Sequence, residues 1–262
     1  MSLRADSLAA LQIHNPSDKC ASVGALHCVI SESDCLEEFA EPDHLPCRPE
    51  RPTLHASLKL PQRSVHTPDG RAALIHSLAH IELNAIDLAL DIVWRFPGLP
   101  AQFYLDWAVV AQEEARHFDL LAKHLSAQGF QYGDFPAHTG LWDMAEKTRG
   151  DLLARLAIVP RTLEARGLDA SPPVREKLLA AGDRRAADIL SIILRDEIGH
   201  VATGNRWYRW LCSQRGLDPI AAYRTLAQSY GVPKPRGPFN LAARRAAGFD
   251  EIELAALGDP RV

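Results

Sequence analysis

Two E-x-x-H pairs stand alone as polar residues in otherwise apolar helical stripes: Glu114/His117 in "AQEEARHFDLL" and Glu197/His200 in "ILRDEIGHVATG". Residues three and four apart share one face of an α-helix. Glu114 and His117 therefore lie among Trp107, Val110, Ala111, Phe118, Leu121 and Leu125. Glu197 and His200 lie among Leu190, Ile193, Leu194, Val201 and Gly204. A carboxylate taken out of water without a counter-charge is destabilised by several kcal/mol or takes up a proton. A chain that buries two such pairs must supply partners for them.

Helical periodicity covers four long stretches. The first, 71–96, is ended by Pro97-Gly98, and the second, 102–129, stops at Gly129. The third is expected over 141–167, with Pro160 kinking it or marking a bulge, and the fourth over 184–212. A short helix over 173–181 is expected beyond a break at "LDASPP". The tail holds a helix near 219–229, an extended "GVPKPRGPFN" and one or two short helices. Residues 1–66, with Pro, Cys and Ser and little sustained periodicity, read as a mostly irregular N-terminal extension. Residues 67–215 form the helical body, and 216–262 a C-terminal extension packing on it.

About five residues join the first two long helices, which makes them antiparallel neighbours. The connection "FQYGDFPAHTG" has 11 residues and spans about 36 Å when extended. A 27-residue helix is roughly 40 Å long, so this connection can run back along a bundle in the manner of a ferritin-like crossover. The expected fold is all-α, a four-helix bundle with N- and C-terminal extensions.

The other long helices supply partners. Glu82 sits in the stripe Ile75, Leu78, Ala79, Ala85, Ile86, Ala89 and Val93; Glu164 lies near Ala157, Pro160 and Leu168, the least clean stripe. Measured from their shared turn, Glu82 and Glu114 fall within about 3 Å of one level. Each helix thus offers one glutamate near its core face, and two add a histidine. Glu plus E-x-x-H, twice, is the ligand pattern of two-metal carboxylate sites in helical bundles. A lone E-x-x-H more often marks a solvated face; two of them, each alone in an apolar stripe, do not fit that explanation. Glu113 is expected to be exposed. His76, His80, Asn84, Asp87 and Asp91 form another stripe of the first helix, and His124 and His138 are further isolated histidines. These fit a polar outer face or a contact with the N-terminal extension better than a second site. Arg161, Arg166, Arg195 and Asp196 flank the ligands, as hydrogen-bonding supports or as surface ion pairs.

The formal net charge of −4 gives no general polyanion-binding surface. The N-terminus has no signal-peptide core, and His, Glu, Asp or Arg interrupt the longest apolar runs, so a cytoplasmic protein without a membrane span is expected. Five cysteines without a C-x-x-C pair read as reduced thiols rather than a disulfide framework or a zinc site.

The segments "LIHSLAHIELNAIDLALD", "EEARHFDLL", "ARLAIVPRTLEARGLDASP", "ILRDEIGHVATGNRWY" and "GPFNLAARRAAGF" resemble the ferritin-like superfamily, and within it a bacterial branch classed as a domain of unknown function. The resemblance covers roughly residues 55–250. It implies metal ligation by Glu82, Glu114, His117, Glu164, Glu197 and His200. It implies two divalent ions, iron or else manganese, but supplies no reaction. Oxygen-activating relatives hydroxylate tRNA or oxidise fatty acids. One expectation is therefore an oxidase or hydroxylase acting on an unidentified small molecule, with an electron donor. The alternative is a non-catalytic metal-binding or peroxide-scavenging protein, although no rubredoxin-like C-x-x-C module is present; a third is a bundle using metal only as a staple. Nucleic acid is not an expected partner despite the basic "KPRGPFNLAARR", and a homodimer is one assembly open to the chain.

Overall fold

The computed structural model describes residues 2–55 and 63–257; the remaining parts of the expected terminal extensions lie outside the described residues. The chain is mostly helical and divides into two compact units, Met1–Trp142 and Asp143–Val262.

The first unit is built on α4 (Pro68–Arg95) and α5 (Ala101–Ala127). Thr67 caps α4 by accepting from the Gly70 amide at 3.1 Å, with Pro68 in the first turn. Gly98 and Gly129, at φ 78° and 82°, close the two helices in left-handed backbone. Ile75, Ala79, Ile86, Ala89 and Val93 of α4 are buried, as are Trp107, Ala111, Phe118, Leu121 and Leu125 of α5. These are the apolar stripes read from the sequence. α4 is long and apolar enough to cross a bilayer, which corrects the expectation that no segment qualifies. Its apolar window is 72% buried within the protein, and His80, Glu82, Asp87 and Asp91 are buried along it. It is a core helix.

Three helices occupy part of the segment expected to be mostly irregular: α1 (Leu3–Leu11), α2 (Pro16–Gly24) and α3 (Glu32–Leu36). Leu3 and Leu11 of α1 are buried, as is Val23 of α2; α1 packs on α4 and α2 on α5. Arg4 binds the end of α4, donating to Val93 O at 3.1 Å and Trp94 O at 2.6 Å. It also donates to Asp34 O, Cys35 O and Glu37 O. Val93 O and Trp94 O belong to the last turn of α4, where carbonyls lack intrahelical donors.

The polar stripe of α4 is buried rather than an outer face, and the contact with the N-terminal extension is the reading that holds for three of its members. Lys19 reaches Asp87 Oδ1 at 2.5 Å, Arg48 donates to Asn84 Oδ1 at 3.3 Å, and Arg95 joins Asp91 to Glu41. The other two meet the connection after α5. The Gly133 amide donates to His76 Nε2 at 2.9 Å. His80 Nε2 lies 2.9 Å from His138 O, and Nδ1 lies 2.8 Å from the Tyr132 hydroxyl. In the same unit β1 (Leu54–His55) pairs in parallel with β2 (Ala137–His138). All five cysteines are free thiols.

From α6 (Gly140–Lys147) the chain enters the second unit. The single helix expected over 141–167 is interrupted at 148–151, where Asp151 starts a new helix by accepting from the Leu153 and Ala154 amides at 2.9 and 3.2 Å. That helix is α7 (Leu152–Ile158). It continues as a π-helical turn, Val159–Glu164, and then as α8 (Ala165–Ala180). Pro160 therefore marks a bulge, one of the two outcomes expected for it. The expected break at "LDASPP" is absent, because α8 runs through Pro172 and Pro173. Pro172 has no N–H to give to Leu168 O, four residues back; the Asn240 side chain donates to that carbonyl at 3.2 Å instead.

Asp183 caps α9 (Arg184–Gln214), accepting from the Ala186 amide at 3.0 Å, and α8 packs against α9. The tail forms α10 (Pro219–Ser229), a non-helical 231–240, α11 (Leu241–Ala246) and α12 (Glu251–Leu257), as the sequence indicates. Ala243 and Ala247 pack with Ala165, Leu168 and Val201, with Leu194, Ile198 and Phe249 alongside. The C-terminal extension thus seats on α8 and α9.

Candidate metal centre

In the first unit, α4 contributes Glu82, and α5 contributes Glu114 and His117 one turn apart. His117 Nδ1 lies 3.2 Å from Glu114 Oε2 and 3.3 Å from Glu82 Oε2. Glu114 and His117 are 0% exposed and Glu82 4%. The helical stripe explains the burial: any side chain there is enclosed by the apolar residues that hold the two helices together.

The electrostatics follow from this enclosure. Burial raises the Glu82 carboxyl well above its ordinary range, and the charge of Glu114 adds to the rise. Burial by itself would lower His117. The hydrogen bonds and charges of Glu114 and Glu82 outweigh it and push the imidazole up to about 11. Without metal, Glu82, Glu114 and His117 hold their protons as a coupled group, and the shifts of Glu82 and His117 both favour retaining them. A divalent ion would replace those protons and keep the same three donors. The donor set fits such an ion: two carboxylates and one imidazole are hard oxygen and borderline nitrogen ligands, suited to iron or manganese.

In the second unit, Glu197 and His200 are both buried on α9, with His200 Nδ1 3.6 Å from Glu197 Oε1. Glu164, partly buried, is the last residue of the π turn. A π turn adds one residue to the helical repeat and shifts the residues after it to another face, a device frequent at functional sites. That shift explains why Glu164 sits in the least regular stripe when the segment is read as an α-helix. Glu82, Glu114 and His117 of the first unit and Glu197 of the second are buried donors of the kind that could hold a metal ion.

The flanking charges separate clearly. Arg195 and Asp196 pair with each other at 2.9 Å, Arg195 being exposed, and Arg166 is exposed. Arg161 is buried. Glu113, expected to be exposed, is partly buried. His124 bonds Gln128 at 2.7 Å.

A mostly helical protein with buried carboxylate and imidazole donors that could hold a metal ion is the class these features define. The chain belongs to the family described as "Protein of unknown function (DUF455)", which it matches over residues 12–255. It is also 46% identical over 259 residues to an uncharacterized protein of Haemophilus influenzae (strain ATCC 51907 / DSM 11121 / KW20 / Rd). The match covers 94% of this chain and 90% of that protein. No solved structure matches the chain.

Proposed function

We propose that this protein is a ferritin-like, two-metal carboxylate protein, with iron as the resident metal and an oxygen-dependent oxidation or hydroxylation of a small organic molecule as its activity. The supporting observation is the convergence of Glu82, Glu114 and His117 donor atoms inside an apolar interior. Glu164, Glu197 and His200 complete the ligand set, one E-x-x-H histidine for each ion.

Two bound iron ions would supply the electrons and Lewis acidity that oxygen chemistry requires. The chain's own part is to hold them. Carboxylates at Glu82 and Glu114 carry negative charge into a site that an oxidised metal needs neutralised, and His117 gives up its proton on loading. Trp107, Ala111, Phe118 and Leu121 keep water away from the same face. The π turn that ends in Glu164 allows that ligand to be placed independently of the regular helices around it.

Metal analysis of protein purified without chelators, followed by oxygen uptake of the reduced iron form, tests this reading. About two metals per chain and oxygen consumption are expected. Iron-loaded protein inert to oxygen would leave a non-catalytic metal-binding module, and protein that takes up no metal would end the proposal.

A further inference from the structure

Arg161 lies on the π turn three residues before Glu164, and its guanidinium is enclosed. Nη1 donates to Asn205 Oδ1 at 2.7 Å, and Nη2 pairs with Glu253 of α12. The rings of Tyr208, Phe249 and Tyr223 surround the carbon of the guanidinium at 4.9, 5.0 and 5.1 Å. Both polar partners are themselves tied to the C-terminal extension. Asn205 Nδ2 donates to Ala247 O at 2.8 Å; Arg209 donates to Gly248 O at 2.5 Å and to Glu253 Oε2 at 2.8 Å.

This arrangement is a poor choice for stability alone. A buried ion pair is commonly matched or bettered by apolar side chains of the same volume, and the aromatic walls would accept one. A planar guanidinium instead fixes direction: its donors point along set lines, and the segment bearing it must register with all of them. The segment so registered is a π turn, a rare insertion in a helix that is frequent at functional sites.

We propose that Arg161 is a positioning residue for the metal site. The C-terminal extension, through Glu253 and Phe249, clamps its guanidinium and so sets where the π turn presents Glu164. The inference rests on the metal reading above. It adds that residues of the extension, none of them a ligand, determine the geometry of one ion's coordination.

Cobalt(II) titration of the full-length chain, followed by visible absorption, tests it. Wild type is expected to bind about two cobalt ions, and Glu164→Ala to change the spectrum at saturation and weaken one site. Arg161→Met should reproduce the Glu164→Ala spectrum, with about tenfold weaker binding at that site, the scale of lost ligand support. Arg161→Lys should restore it only in part. Glu253→Gln, a milder change on α12, should move the spectrum the same way even if Arg161→Met does not fold. A role confined to stability would lower the unfolding temperature and leave the saturated spectrum unchanged. Wild-type spectra in folded Arg161→Met, or in Glu253→Gln where the former does not fold, overturn this inference while leaving the metal reading intact. Wild-type protein that binds no cobalt, iron or manganese removes both.

Discussion

A β-carbon on Gly204 would lie 2.6 Å from Cβ and 2.8 Å from Cγ of Pro160, so α9 and the π turn approach as closely as they do only because residue 204 has no side chain. Gly204 comes one helical turn after His200, and Pro160 precedes Glu164 by four residues. One missing methyl group thus sets the separation of two elements that carry three of the candidate ligands.

Gly204→Ala puts two effects in opposition. In a helix interior alanine is worth roughly 1 kcal/mol over glycine, whereas forcing a methyl group into a filled space destabilises by about 1–3 kcal/mol. Neither neighbouring atom is the end of a flexible side chain, so the clash should win. A net loss of about 1 kcal/mol in urea unfolding is expected, with weaker metal binding at the Glu164 side. A more stable variant would show that the contact is soft.

His117→Ala should lower metal content from about two ions per chain toward one, with circular dichroism showing the helices retained. His124→Ala, on the same helix but bonded to Gln128, serves as control and should keep full metal content. Equal stoichiometry and affinity in His117→Ala and wild type would remove His117 from the site.

His76 gives the fold a defined acid sensitivity. Burial pushes its pKa down from 6.5 to about 4, and its Nε2 accepts from the Gly133 amide, so the folded protein requires the neutral ring. The unfolded chain binds the proton first as pH falls. The associated stability is therefore complete above 6.5 and is lost progressively down to about 4. At pH 5 the loss from this group should be up to about 2 kcal/mol. His76→Gln, which cannot titrate, should lose less stability between pH 7.5 and 5 than wild type. Parallel losses in the two proteins would refute the assignment.

Arg4→Met should be among the most damaging changes outside the ligands. It strips donors from Val93 O and Trp94 O at the end of α4 and from three carbonyls at the C-terminal end of α3 and just beyond it. Cys35 O keeps the Gly98 amide and the Tyr104 hydroxyl, and Asp34 O keeps the Glu37 amide. Leaving the Val93 and Trp94 carbonyls short of a donor costs about 1–3 kcal/mol each, so a loss of about 2 kcal/mol or more is expected in denaturant unfolding. Arg4→Lys should recover little, because one ammonium cannot span five acceptors.

The long helices are legible in the sequence because their signals are local. Thr67-Pro68, Gly129 and Asp183 stop or start α4, α5 and α9 by contacts within three or four residues. The trio Glu82, Glu114 and His117 is legible for a related reason: a polar residue inside an apolar stripe has nowhere else to point. The features that escape such a reading depend on distant partners. α1 and α2 are too short to stand alone and are stabilised by the surfaces of α4 and α5. Asn15 ahead of Pro16, and Ser31 with Asp34, do carry readable capping signals. Arg161 is visible only as a flanking charge, since its enclosure is assembled from α9, α10 and the tail.

Helix α8 illustrates what such dependence means during synthesis. Its Leu168 carbonyl, left open by Pro172, receives its hydrogen from Asn240, 72 positions further along the chain. Arg244 reaches back to Asp169 and to Ala165 O. A ribosome adds residues from the N-terminus onward, so the middle of α8 leaves it long before its missing donor exists. A nascent chain stalled short of residue 240 therefore carries an α8 whose Leu168 carbonyl has no Asn240 donor and whose Asp169 has no Arg244 partner.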